Sequence, residues 1–121
     1  MDKIRKILRK NPHVIFAYLF GSRAAGYAGI RSDWDIAIYF DKPAPRDWTR
    51  FYLEAEIERE LRERVQITIL NGIEDPVFAF EIISKGIILI DRKPSARILF
   101  EAFTLRQHHD WNYYLQRHVI A

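Results

Sequence analysis

Three features of the 121-residue chain predict a single α/β domain spanning residues 1–121. Four short runs of β-branched and aromatic residues, HVIFAYLF, WDIAIYF, VQITIL and IILI, read as strands. Helix-period segments separate them, giving the order α, β, short α, β, α, β, α, β, α. Apolar residues make up 49% and charged residues 29%, which is the balance of a packed globule and not of a disordered tail.

Each element has local reasons. Ile4, Ile7 and Leu8 recur at helical spacing over residues 2–10, and Asn11-Pro12 stops that helix because proline disfavours helical geometry in the residue before it. Residues 13–20 are almost continuously apolar and are closed by Gly21-Ser22, as expected of a buried strand. A brief helix follows over about 22–27, then a loop over 29–32 and a second strand over 34–40. Asp41 to Pro45 breaks the chain before a helix over 46–64, whose apolar side is read as Trp48, Phe51, Tyr52, Ala55 and Leu61, with its acids and arginines spaced to pair.

In the third strand, 65–70, Val65, Ile67 and Ile69 share one face and Gln66, Thr68 and Leu70 the other. Asp75-Pro76 supplies an N-cap and a first-turn proline, and Lys85-Gly86 a stop, so a helix is expected over 76–85. Residues 87–90 form the last strand. Ser95 is then placed to cap a long helix with an apolar stripe of Ile98, Leu99, Ala102, Phe103, Leu105 and Trp111.

Composition removes several classes of function. The chain has no cysteine, which rules out disulfides, thiolate metal sites and thiol nucleophiles and points to the cytoplasm. No apolar run is long enough to span a membrane. A net charge of +3, from 19 basic and 16 acidic residues, allows nucleic-acid binding without indicating it.

The stretch FGSRAAGYAGIRSDWDI carries the chemistry. Asp33 and Asp35, two apart at the start of a strand, project to one face, where like charges repel unless a cation lies between them. An oxygen-only pair suits Mg²⁺, which takes one or two carboxylates and completes its shell with water and phosphate oxygens. Upstream, Gly21 lets the backbone approach a ligand closely, and Ser22 adds a hydroxyl at the start of a helix. A Gly-Ser pair is by itself usually only a turn, and an Asp-x-Asp often a solvated loop end. In this order they suit one nucleoside triphosphate with its metal.

Gly21-Ser22-Arg23-Ala24-Ala25-Gly26 followed by Ser32-Asp33-Trp34-Asp35-Ile36 resembles the signature of the minimal nucleotidyltransferases of the DNA polymerase beta superfamily. Glu63 to Asn71, Phe80-Glu81 and Gly86 extend the likeness over nearly the whole chain. The resemblance implies a small mixed sheet of about four strands covered by helices. It implies that Gly21 and Ser22 contact the triphosphate and that Asp33 and Asp35 ligate Mg²⁺. It further implies transfer of a nucleotidyl group, commonly adenylyl from ATP, to an acceptor hydroxyl. Many members are antitoxins of HEPN-domain ribonuclease toxins, so a separate HEPN toxin is the expected partner; self-association stays open.

One position departs from the family. The strand after the long helix ordinarily carries a third carboxylate, and the matching residue here is Gln66. An amide accepts hydrogen bonds but has no charge and cannot act as a general base. Retained binding of Mg-ATP with slow transfer or none is therefore expected. The alternative is an inactive antitoxin that neutralises its toxin by contact. Two other acids are weighed for the role: Glu63, which reads as a solvated charge at a helix end, and Glu81, on a later helix, which turns inward only if that helix packs beside the site.

The remaining candidates carry two readings each. Arg23 either neutralises phosphate charge, as a guanidinium fork can, or pairs with an acid; Arg31, in the loop ahead of the acids, either does the same for phosphate or is solvated, the latter being the preferred reading. Trp34 faces away from the carboxylates and reads as packing. His108, His109 and His118 point in different directions on a helix, so the aromatic and basic run from Arg106 to His118 fits a partner surface better than a metal site.

Overall fold

The computed structural model describes residues 1–26, 33–41 and 47–120. Its elements are α1 (Asp2–Lys10), β1 (Val14–Phe20), α2 (Ser22–Ala25), β2 (Trp34–Phe40), α3 (Asp47–Leu61), β3 (Val65–Ile69), α4 (Pro76–Lys85), β4 (Ile87–Asp91) and α5 (Pro94–Leu115), followed by a π-helical turn (Gln116–Ile120). The predicted loop over 29–32, with Arg31, and most of the Asp41 to Pro45 break lie outside the described residues.

The four strands form one mixed sheet in the order β3-β2-β1-β4. β1 pairs antiparallel with β2 and β4, and β2 runs parallel to β3. Alternation along the strands feeds two cores. Ile36, Ile38, Val65 and Ile67 meet Ile4, Ile7 and Leu8 of α1 and Leu53 and Ile57 of α3 on one face. Phe16, Tyr18, Ala37 and Leu70 meet Ile82 of α4 and, more peripherally, Phe100 of α5 on the other. On this second face Phe16 stacks on Tyr39 at 4.8 Å between ring centres.

α3 corrects the sequence reading. Trp48, Phe51 and Tyr52, expected to cover the sheet, are 58%, 55% and 75% exposed, and Ala55 is exposed with them. The face that docks is Leu53 and Ile57, with Leu61 partly buried. Both stripes fit the helical period, and what separates them is the edge strand. The Val65 and Ile67 amides point away from β2; Glu58 and Glu54 of α3 accept from them at 3.3 and 2.9 Å. A sheet edge needs such partners, and only the Leu53–Ile57 rotation of α3 delivers the two glutamates to it. They therefore serve the edge instead of pairing with neighbouring arginines.

α4 begins as predicted: the Asp75 carboxylate accepts from the Val77 and Phe78 amides, with Pro76 at the first position. That cap contributes about 1 kcal/mol. α5 instead starts at Pro94, with Lys93 as a cap residue that makes no side-chain hydrogen bond, so Ser95 lies inside the helix. Its stripe faces outward: Ile98, Leu99, Phe103 and Leu105 are each more than half exposed.

Candidate functional site

The site sits where β1 ends and β2 begins. Phe20 pairs with Asp35 across β1 and β2, and Asp35 pairs with Gln66 across β2 and β3. Alternation puts Asp33 and Asp35 on the face that also carries Ala37 and Tyr39. Both carboxylates are half-buried and Gln66 is exposed beside them.

Gly21 closes the floor. Its backbone has φ 76° and ψ −162°, a region reserved almost entirely for glycine. A Cβ there would overlap the Asp35 Oδ2 and stand 3.2 Å from Cγ. The glycine is therefore required twice, by its conformation and by the carboxylate against it. From Gly21 the chain turns into α2, with the Ala24 and Ala25 amides donating to the Gly21 carbonyl at 3.1 Å. The first amides of a helical turn have no partner within it.

Burial first, and the negative charge of Asp33 second, push the Asp35 carboxyl above its ordinary range. The site thus holds two like charges at a cost that a cation would remove. Oxygen donors of this kind, next to a turn shaped for close backbone approach, fit a hard divalent ion such as Mg²⁺. Among the described residues no group of three or more His, Asp or Glu gathers as a metal-binding cluster, so no third acid joins the pair.

The other sequence candidates are placed as follows. Arg23 pairs with Glu63 at 3.4 Å and its guanidinium lies 4.7 Å over the Trp34 ring, so an acid partner is present. Glu63, read from sequence as a solvated charge, also accepts from the Trp34 indole N–H at 2.5 Å. These residues are 29 and 40 positions from Glu63, and nothing in local spacing signals the contact. Glu81 pairs with Lys85 at 3.0 Å along α4. His108 stacks on Phe80 and His118 packs against Tyr114, so the histidines do not converge. A groove of about 590 Å³ between α4 and α5, lined by Tyr39, Leu70, Ile73 and Phe103 among others, includes none of the Gly21–Asp35 residues.

The polymerase beta nucleotidyltransferase family profile matches residues 2–95, and the chain belongs to that family. Compared with curated proteins, the sequence finds no match. Among solved structures it is similar to a chain of a toxin–antitoxin complex with AMP-PNP, at 26% identity and TM-score 0.82, over 96% of this chain and 92% of the other. It is also similar to a chain of an MntA–HepT toxin–antitoxin complex, at 24% identity and TM-score 0.75, covering 96% and 90%. A third likeness is to a Shewanella oneidensis complex of a tri-AMPylated HEPN toxin with an MNT antitoxin, at 23% identity and TM-score 0.75, covering 96% and 89%. The resemblance read from Gly21 to Asp35 thus holds for the whole fold.

Proposed function

We propose that this chain is a minimal nucleotidyltransferase antitoxin that binds a Mg²⁺-nucleoside triphosphate at Gly21, Ser22, Asp33 and Asp35 and acts on a separate HEPN toxin. The observation that carries the reading is that half-buried Asp33 and Asp35 share one face, with Asp35 packed against Gly21, whose positive φ and lack of a Cβ leave room for the carboxylate. A structural neighbour in complex with AMP-PNP and another holding a tri-AMPylated HEPN toxin support ATP as donor and the toxin as acceptor.

Asp33 and Asp35 hold the cation, and the Gly21–Ser22 turn orients the phosphates through backbone N–H groups and the Ser22 hydroxyl. Bound there, Mg²⁺ supplies positive charge to the phosphate oxygens and Lewis acidity at the transferred phosphorus. Arg23 already pairs with Glu63 and lies over the Trp34 ring beside this turn. In transfer, the toxin hydroxyl oxygen bonds to the α-phosphorus while the bond to the bridging oxygen breaks and pyrophosphate leaves. The hydroxyl proton passes to solvent, because the Gln66 amide cannot accept it. Chemistry is accordingly slow.

The Gln66 position favours a second reading, in which the fold neutralises the toxin by contact alone. The exposed aromatic residues Trp48, Phe51 and Tyr52 of α3, and Trp111, Tyr113 and Tyr114 of α5, offer surface for a protein partner in either case. Incubating purified toxin and this chain with α-labelled ATP separates the two. Label on the toxin requires transfer; stoichiometric inhibition without label leaves binding alone.

A further inference from the structure

Trp34 is the residue between the two aspartates, and it is tied twice to consecutive residues of the α3–β3 connection. Its backbone N–H donates to the Arg64 carbonyl at 2.9 Å, and its indole N–H donates to the Glu63 carboxylate at 2.5 Å. The same carboxylate pairs with Arg23 at 3.4 Å, and the Arg23 guanidinium lies 4.7 Å above the Trp34 ring. Three segments that carry the site converge here: the Gly21–Ser22 turn, the aspartate strand, and the segment leading to Gln66.

The energetics point away from stability as the purpose. An ion pair with a half-exposed carboxylate contributes little, and a cation–π contact at the surface adds only modestly. Position is what the cluster controls. Asp33 and Asp35 repel one another, and the Gly21 backbone leaves no slack against Asp35. Fixing residue 34 by backbone and side chain at once fixes the residues on either side of it, while Arg23 carries the same restraint into the phosphate turn.

We propose that Trp34, Glu63 and Arg23 form a positioning latch that holds the aspartate pair against the Gly-Ser turn, so that cation and triphosphate meet in register. The latch rests on the reading of Asp33 and Asp35 as cation ligands. It acts through the backbone on both sides of Trp34.

Mn²⁺ provides the probe, with free ion followed by electron paramagnetic resonance in the presence of ATP. Glu63 is exposed, so Glu63→Ala leaves the fold intact and its melting temperature near that of the parent. Its affinity for Mn²⁺-ATP falls about tenfold, the scale of losing a support behind metal ligands. Glu63→Gln keeps an acceptor for the indole and falls between the two, and Trp34→Phe combined with Glu63→Ala is no worse than either alone. Parent binding with unchanged affinity in Glu63→Ala and Trp34→Phe overturns the latch and leaves the cation site standing, even if melting temperature drops. A parent protein that takes up no Mn²⁺ overturns both.

Discussion

Asp35 and Gln66 stand directly opposite one another in the parallel ladder of β2 and β3. If Asp35 holds a cation, as proposed, the residue opposite it on the same face is the position where a further carboxylate would reach the same ion, and that position is Gln66. Glu63 is engaged by Trp34 and Arg23, and Glu81 by Lys85. Gln66→Asp therefore places a carboxylate beside Asp35. Adenylyl transfer to the toxin, followed by label incorporation, rises by about 10²-fold or more, the range for gaining a positioned acid–base group. A rate indifferent to the substitution contradicts the assignment of position 66.

Gly21→Ala tests the floor of the site. The backbone conformation alone costs about 1–3 kcal/mol for a residue with a Cβ, and the added carbon collides with the Asp35 carboxylate. Denaturant unfolding shows the loss, and ATP-dependent thermal stabilisation disappears along with it. Retained stabilisation by Mg-ATP in Gly21→Ala shows that the close approach to Asp35 is unnecessary.

Asp35→Asn separates stability from function. A carboxyl whose folded pKa is raised holds its proton more tightly folded than unfolded. Its contribution is full below the unfolded value of about 3.9 and is lost as pH rises through the raised value. At pH 7 without metal, ionised Asp35 beside Asp33 therefore destabilises the fold. Asp35→Asn melts higher than the parent in chelator at pH 7, the difference closes toward pH 3, and Mg²⁺ raises the melting temperature of the parent alone. A variant less stable than the parent in chelator at neutral pH contradicts the electrostatic account.

Much of this site was legible in the chain. Strand alternation put Asp33 and Asp35 on one face, and the strand-then-Gly-Ser order marked the turn, because both are local properties of backbone geometry. Asp75-Pro76 fixed the start of α4 for the same reason. What escaped was decided at a distance. α3 offers two apolar stripes of the same period, and the choice of Leu53 and Ile57 over Trp48, Phe51 and Tyr52 follows from the amides of Val65 and Ile67 that Glu58 and Glu54 must reach. Glu63 looked solvated because its partners Arg23 and Trp34 belong to other segments. The Gly21–Asp35 contact likewise exists only once β1 and β2 pair.

Tyr18 anchors the covering helix α5 on the face of the sheet that carries Phe16 and Ala37. Its hydroxyl, on a ring only 1% exposed, donates to Glu101 of α5 at 2.5 Å, and Arg97 links Glu101 to Asp91 at the end of β4. Burial first and the Glu101 bond second drive the Tyr18 pKa far above its usual value. The stabilisation is whole below the unfolded tyrosine value of about 10 and is lost as pH climbs past it. Tyr18→Phe costs about 1.5–3 kcal/mol at pH 7, as expected of a hydrogen bond to a charged group. Its stability declines less than that of the parent between pH 10 and 11.5. Equal alkaline slopes in chemical denaturation sink this assignment.

The central claim is that two aspartates and a glycine turn hold a metal-bound triphosphate. Isothermal titration of ATP into the purified chain, with Mg²⁺ and again with chelator, tests it most directly. The account predicts saturable heat with Mg²⁺ that vanishes in chelator and in the Asp33→Asn and Asp35→Asn variants. Binding that survives chelation, or that both variants retain at parental affinity, contradicts it.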